Sequence, residues 1–317
     1  MKLTVTGSIA FDYLMHFPGK FADALKAEKL DAISVSFLVQ DMTKHRGGTG
    51  GNIAYTIGLL GGAPLLMATA GKDFKDYKLG LDEAGVDTSA ILVIEDEYTS
   101  SFFANTDLDE NQIASFYAGA MAHAGKLSFE SNAPYTDLAI VSPNDPEAMR
   151  AYVAECQESG IDYIFDPSQQ TLWLSGQDLK EGIDGCFLLA VNDYELHLIE
   201  EKTRLSEDDI VGLCGGLIVT LGKRGSRIRV GDLEYHIPIV PPTEVLDPTG
   251  AGDAFRAGIM RALQLGLDWK MAGRFAALSA TYAIENMGPQ GHEFTRDGFV
   301  KRFREHFDDN GALDDFS

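Results

Sequence analysis

The segment Asp247-Pro-Thr-Gly-Ala-Gly-Asp-Ala-Phe-Arg-Ala-Gly258 holds the densest chemistry of the chain. Pro248 and Gly250 mark a turn, and Ala254, Phe255, Ile259, Ala262 and Leu263 then recur at helical spacing. The spacing predicts that Gly250, Ala251 and Gly252 open a helix. Backbone N–H groups at a helix start lack intrahelical partners, and the dipole is positive there, so an anion is attracted. Small residues let a phosphate come close to that backbone. Asp253 is the unexpected part, because a carboxylate repels phosphate unless it has a task. Taking the proton from an attacking hydroxyl is such a task, and it belongs to phosphoryl transfer to an alcohol. A capped helix behind a tight turn is the structural alternative, but it does not require the whole run.

Such a group of residues needs a frame. Short apolar runs at Leu3–Thr6, Leu65–Thr69, Leu138–Val141, Tyr163–Phe165, Cys186–Val191 and Leu217–Thr220 alternate with helical patterns. In one of these, Asp145 is placed to cap, Pro146 to start the helix, and Met149, Tyr152, Val153 and Cys156 to share a face. The rhythm predicts an α/β fold with a doubly wound, mostly parallel sheet. Ligands of such sheets bind beyond the carboxyl ends of the strands. Each run here ends in polar or turn residues: Gly7-Ser8, Ala70-Gly71, Ser142–Asp145, Asp166–Gln170, Asn192-Asp193 and Leu221-Gly222. These clusters are expected to meet in one cleft.

Two stretches break the rhythm. Ile33–Val39 alternates small polar with apolar residues, as do Tyr98–Thr106 and Gln112–Ala118 around Asp107–Asn111, a hairpin pattern. They predict a small β-sheet lid over the cleft. The lid takes residues 14–40 and 98–118, and the main nucleotide-binding domain takes 1–13, 41–97 and 119–317. An edge extension of the main sheet is the alternative. The acidic tail Asp308–Ser317 reads as a frayed end.

Composition narrows the function classes. The net charge of −22, from 26 basic and 48 acidic residues, argues against nucleic-acid polymers and acidic membrane surfaces as partners. The three cysteines, Cys156, Cys186 and Cys214, have no metal-like spacing and fit buried thiols in a reducing cytoplasm. The start Met-Lys-Leu-Thr-Val-Thr-Gly7 reads as a strand rather than a leader, and no apolar run is long enough to cross a bilayer. His16, His45, His123 and His292 form no metal-like cluster, and no P-loop sequence occurs.

Asp247-Pro-Thr-Gly-Ala-Gly-Asp253 resembles the signature of the ribokinase-like (PfkB) carbohydrate kinases. Three further elements follow in family order: Arg46-Gly-Gly-Thr-Gly-Gly-Asn52 with Ile53-Ala54, Asn192-Asp-Tyr-Glu195, and Thr220-Leu-Gly-Lys-Arg-Gly225. Within that family, Thr6–Ala10, Phe17–Gly19, Ser34–Val39, Gln112–Tyr117, Gly119–Met121, Asn144–Met149 and Asp166–Gln170 look like bacterial adenosine kinases. The resemblance implies ATP-dependent phosphorylation of the adenosine 5′-hydroxyl to give AMP, a purine-salvage reaction that uses Mg²⁺. Gly250, Ala251 and Gly252 would form the anion hole and Asp253 the base. Ser8, Asp12, Ser36, Gly48 and Asn52 would hold the ribose, and Phe102 and Phe116 would stack on the purine. Gln169 and Gln170 would lie near base or ribose. Asn192, Glu195, Thr220, Gly222, Gly225 and Gly252 would hold ATP.

The residues agree chemically with these roles: a carboxylate such as Asp12 can accept from two hydroxyls, and aromatic rings suit a flat base. Metal ligation through Glu195 is indirect in the family, so no direct metal ligand is assigned. Arg46 and Arg256 flank the motifs; either could neutralise phosphate, and Arg256 is expected instead to be solvated or paired with a carboxylate. Similar bacterial enzymes imply a homodimer through the lid. Ribose, another sugar or another nucleoside remains open as acceptor, as does a non-catalytic nucleoside-binding role.

Overall fold

A computed structural model of the chain describes residues 1–25 and 34–316. Thirteen strands among them make two sheets. In chain order they are β1 (Leu3–Thr6), β2 (Ala10–His16), β3 (Asp41–Gly47), β4 (Leu65–Gly71), β5 (Ile91–Ile94), β6 (Ser100–Thr106), β7 (Gln112–Tyr117), β8 (Leu138–Val141), β9 (Asp162–Phe165), β10 (Leu188–Asn192), β11 (Leu217–Thr220), β12 (Ser226–Val230) and β13 (Leu233–Ile237). The large sheet runs β13-β12-β11-β10-β9-β8-β1-β4-β5 and is parallel except for the hairpin β12–β13 on β11. Its strands β1, β4 and β8 to β11 are largely apolar and buried because helices cover both faces, whereas the edge hairpin β12–β13 carries Arg227, Arg229, Glu234 and His236. In β8, Leu138 and Ile140 face one core while Ala139 and Val141 face the other.

The chain grows in both directions from β1: β4 and β5 lie to one side, β8 to β11 to the other. The crevice between β1 and β8 is therefore the topological switch point, where ligands bind in open α/β sheets. The Ser8 N–H, just past β1, donates to the Pro143 carbonyl just past β8 at 2.8 Å, tying the two strand ends together. The helix Pro146–Ser159 forms as its sequence specifies. Asp145 accepts from the N–H groups of Glu147 and Ala148, and its four anticipated face residues are buried.

The small sheet runs β3-β2-β6-β7. Its hairpin β6–β7 lies where the sequence pattern places a hairpin, but its other half does not match the expected stretch. Residues 34–39 form no strand, and Ile33 lies outside the described residues. The partner strands are instead β2, which follows β1, and β3, which leads into the helix Thr49–Leu59; Ala10–Tyr13 and all of β3 lie in the range expected for the main domain. The tail also differs from a frayed end. Leu313 and Phe316 are buried, Phe316 packs on Phe275 at 5.3 Å, and Arg304 pairs with Asp309 at 2.8 Å.

Candidate active site

A cleft of about 1250 Å³ lies between the carboxyl ends of the large sheet and one face of the small sheet. One wall is the start of the helix Ala251–Gln264. Gly250 caps it at φ +80° and contributes no side chain to the cap, so no capping side chain occupies the N–H groups of Gly252 and Asp253. A β-carbon at Gly250 would stand 2.6 Å from the Pro289 side chain. Gly250, Gly252 and Asp253 line the cleft; Ala251 does not, and its N–H turns back to the Pro248 carbonyl at 3.3 Å. Asp247 steadies this corner by accepting from the Thr249 and Gly288 N–H groups at 2.9 and 3.0 Å.

Asp253 sits deep in the wall. Burial pushes its carboxyl from the ordinary 3.8 up to about 6, although a hydrogen bond from Asn52 and the charge of Arg256 pull it back. Asn52 Nδ2 donates to Asp253 Oδ2 at 2.8 Å. Asn52 belongs to the helix Thr49–Leu59. Gly50 and Gly51 are thus part of the helix. Gly50 lets it pack against the turn that follows β1, since a β-carbon there would stand 2.7 Å from the Gly7 backbone.

The opposite wall is one row of the small sheet. Strand register aligns His45 of β3, Asp12 of β2, Phe102 of β6 and Phe116 of β7. Paired residues share a face, and all four line the cleft. The row runs from a carboxylate to two rings, with Phe116 half exposed over the opening. Burial, then the charges of Asp253 and Asp247, raise Asp12 to about 6. Gly48 holds the junction between this sheet and the helix at φ +86°, where a β-carbon would stand 2.6 Å from the backbone of Ser8 and Ala10.

The third wall collects strand ends. Asn192 and Glu195 form a capping box at the helix Asp193–Thr203: Asn192 Oδ1 accepts from the Glu195 N–H and Glu195 Oε2 from the Asn192 N–H, each at 2.8 Å. The box is a structural cap, and its residues also line the cleft with Thr220 and Gly222. Arg256 is buried beside them, its Nη2 2.7 Å from Asp166 and 3.8 Å from Glu195. It is paired with a carboxylate rather than solvated, and it lines the cleft. Burial, against the attraction of Arg256, pushes Asp166 up to about 7.

Most residues singled out in the sequence therefore converge: Ser8, Asp12, Gly48, Asn52, Phe102, Phe116, Gln169, Gln170, Asn192, Glu195, Thr220, Gly222, Gly250, Gly252 and Asp253 line one cleft. Ser8 Oγ already accepts from the Thr49 N–H at 3.2 Å, and Gln170 Nε2 donates to the Asn144 carbonyl at 2.7 Å. Ser36 is exposed and not at the cleft. Gly225 shapes the turn into β12 and is not at the cleft either. Arg46 lies on the outer side of β3, against Gly80, because it alternates with His45. His45, Gln112, Trp173 and Pro289 line the cleft without having been singled out for it. The alternation of β3 against β2 carries the signal for His45, but only once that pairing is known. Among the described residues no three His, Cys, Asp or Glu side chains converge as a metal cage, and no helix is long and apolar enough to cross a membrane.

Comparison with known proteins gives a consistent result. The sequence model described as pfkB family carbohydrate kinase matches residues 21–295. A nucleoside kinase of Methanothermobacter thermautotrophicus is 31% identical over 305 residues, 95% of each chain. The structure of Burkholderia thailandensis nucleoside kinase in complex with inosine superposes with a TM-score of 0.87 at 37% identity, covering 96% of this chain and 97% of that one. The same enzyme is known in complex with ADP-inosine. Methanocaldococcus jannaschii nucleoside kinase gives a TM-score of 0.87 at 30% identity, covering 96% and 99%.

Proposed function

The chain belongs to the pfkB family of carbohydrate kinases and has the ribokinase-like α/β fold; from that premise we propose that it transfers the γ-phosphoryl group of ATP in line to the 5′-hydroxyl of a nucleoside, converting adenosine to AMP. The observation that carries this reading is the row Asp12, Phe102, Phe116 facing Asp253 and Asn52 across one cleft. A bare sugar has no flat base for two aromatic rings, whereas a nucleoside spans the row with its base on the rings and its ribose hydroxyls at Asp12. Inosine, bound in the Burkholderia enzyme, is the second acceptor to compare. Gln112 and Gln169 line the cleft, and their amides both donate and accept, so the base edge is read tolerantly.

In this reading Asp253 accepts the 5′-hydroxyl proton. With its carboxyl near 6 it is ionised at neutral pH yet basic enough to take a proton, and such general-base help contributes typically ~10²–10⁴ in rate. The uncapped N–H groups of Gly252 and Asp253 stabilise charge on the transferring phosphoryl. Arg256 offsets part of the charge of Asp166, Glu195 and Asp253. The hard oxygens of this carboxylate-rich wall suit Mg²⁺ carried by the nucleotide, with no side chain assigned as a direct ligand. The metal would supply further charge neutralisation on the phosphates. Closure of the small sheet would exclude water, the competing acceptor.

Met42, Phe103, Ile113 and Tyr117 are exposed on the face of the small sheet away from the cleft and favour a homodimer through that face, which light scattering tests. For the activity, an ATP-Mg²⁺ assay over adenosine, inosine, guanosine, cytidine, ribose and fructose 6-phosphate is decisive. Preference for a purine nucleoside supports the reading, and preference for ribose or a sugar phosphate overturns it.

A further inference from the structure

We infer that Gln290 and Tyr77, two buried residues outside the cleft, are positioning residues that fix which end of the Asn52 amide meets Asp253. The inference rests on the reading of Asp253 as the base. An Asn side chain has a donor end and an acceptor end of nearly the same shape. Turned one way, Asn52 gives Asp253 a hydrogen bond; turned the other way, it sets an oxygen against the carboxylate. Nothing within Asn52 itself chooses between them.

The choice is made by a chain of hydrogen bonds. Gln290 Nε2 donates to Asn52 Oδ1 at 2.9 Å, which occupies the oxygen and leaves Nδ2 for Asp253 at 2.8 Å. Gln290 needs orienting in turn, and Tyr77 does this. The Tyr77 hydroxyl donates its single proton to the Gly47 carbonyl at 2.7 Å, so its oxygen can only accept from Gln290 Nε2, 2.5 Å away. Burial raises the Tyr77 phenol far above its ordinary range, so that proton stays in place. Each donor and acceptor in the chain then has one consistent direction.

The surroundings support a dedicated arrangement. Asn52, Tyr77 and Gln290 are all buried. Gln290 Oε1 has no hydrogen-bond partner although buried, an arrangement that costs stability and leaves the two N–H groups as the function of the amide. Gly51 leaves the space that the Tyr77 hydroxyl occupies. The chain starts at Gly47, the last residue of β3, and ends at Asp253, so it links the small sheet's junction with the helix Thr49–Leu59 to the base. The other groups facing Asp253 are Arg256 and Glu195 from their helices, Asp166 from the end of β9, Asp12 from β2 and Tyr77 itself. Substitution at Gln290 leaves Arg256, Glu195, Asp166 and Asp12 unchanged.

The test is the pH profile of kcat/KM with adenosine and ATP-Mg²⁺ for the wild type, Gln290→Glu, Gln290→Met and Tyr77→Phe. An ionised Gln290→Glu side chain offers only acceptors, so it turns the Asn52 oxygen toward Asp253. Its acidic limb is expected to move up by about one pH unit. At pH 6 kcat/KM then falls about fivefold, while at pH 8.5 it stays within about twofold of wild type. Tyr77→Phe moves the limb the same way by less, and KM for ATP is unchanged in both. Gln290→Met, which has no polar end, checks that lost hydrogen bonding is enough to shift the limb. Circular dichroism identifies the folded variants. If folded Gln290→Glu and Tyr77→Phe keep the wild-type limb, the positioning role is overturned while Asp253 as base stands. A wild type without an acidic limb, or Asp253→Asn with full kcat, overturns both.

Discussion

Asp253→Asn should make the protein more stable while removing its activity. The folded state holds the Asp253 carboxyl at about 6 against an ordinary 3.8. The folded protein therefore binds this proton more tightly than the unfolded chain does. An acid of this kind lowers stability above its folded pKa, and the penalty fades as pH falls toward the unfolded value. At pH 8 the two values give about 3 kcal/mol of destabilisation, and at pH 4.5 about 1 kcal/mol. Asn is close in shape to the protonated acid and can still accept from Asn52 Nδ2, so the substitution recovers most of this difference. Urea unfolding of both proteins at pH 8 and pH 4.5 is the assay, with equal m-values as the check that the transition is comparable. The expected gain at pH 8 is about 2–3 kcal/mol, and it shrinks by more than half at pH 4.5. A variant that is less stable than wild type at pH 8, or a gain that does not change with pH, refutes the argument that burial of this charge strains the site.

Three further outcomes follow from the same geometry. Arg256→Met leaves Asp166 buried without its cation, so urea unfolding should show a loss of about 3–5 kcal/mol, larger at pH 8 than at pH 6, and Asp166→Asn in the same chain should restore most of it. Phe116→Ala removes one aromatic face from the row and should raise KM for adenosine about tenfold or more, with KM for ATP unchanged in steady-state assays. Asn192→Ala breaks one half of the capping box and should lower stability by about 1 kcal/mol in urea melts while raising KM for ATP.

The inner strands of the large sheet were legible because they are buried on both faces and so appear as apolar runs; Leu3–Thr6, Leu138–Val141 and Leu217–Thr220 match their observed limits. The partly exposed β5 was not singled out, and the charged, partly exposed β12 and β13 gave no such run. The small sheet was legible only in its hairpin, whose strands are neighbours in sequence. Asp41-Met-Thr-Lys-His-Arg-Gly47 is mostly polar and becomes a strand through pairing with Ala10–His16, which no local pattern announces. Ser34–Val39 has strand-like alternation but no partner strand among the described residues. The tail was misread for a similar reason: its acidic residues suggested solvent, while Leu313 and Phe316 found an aromatic cluster already formed by Phe275 and Phe299. In the site, residues that end strands or open helices could be read because turn chemistry marks them. Gln290 and Tyr77 could not, since they act through hydrogen bonds between segments far apart in the chain.

The central claim is that Asp253 activates a nucleoside 5′-hydroxyl for attack on ATP. It is tested most directly by product analysis with adenosine and ATP-Mg²⁺, comparing wild type and Asp253→Asn at pH 8, with adenosine binding measured by calorimetry in both. The account predicts AMP phosphorylated at the 5′ position from the wild type, and a loss of about 10²–10⁴ in kcat for the variant with adenosine affinity kept within a few fold. Wild-type turnover in Asp253→Asn, or a wild type that binds adenosine and phosphorylates it at no position, would contradict it.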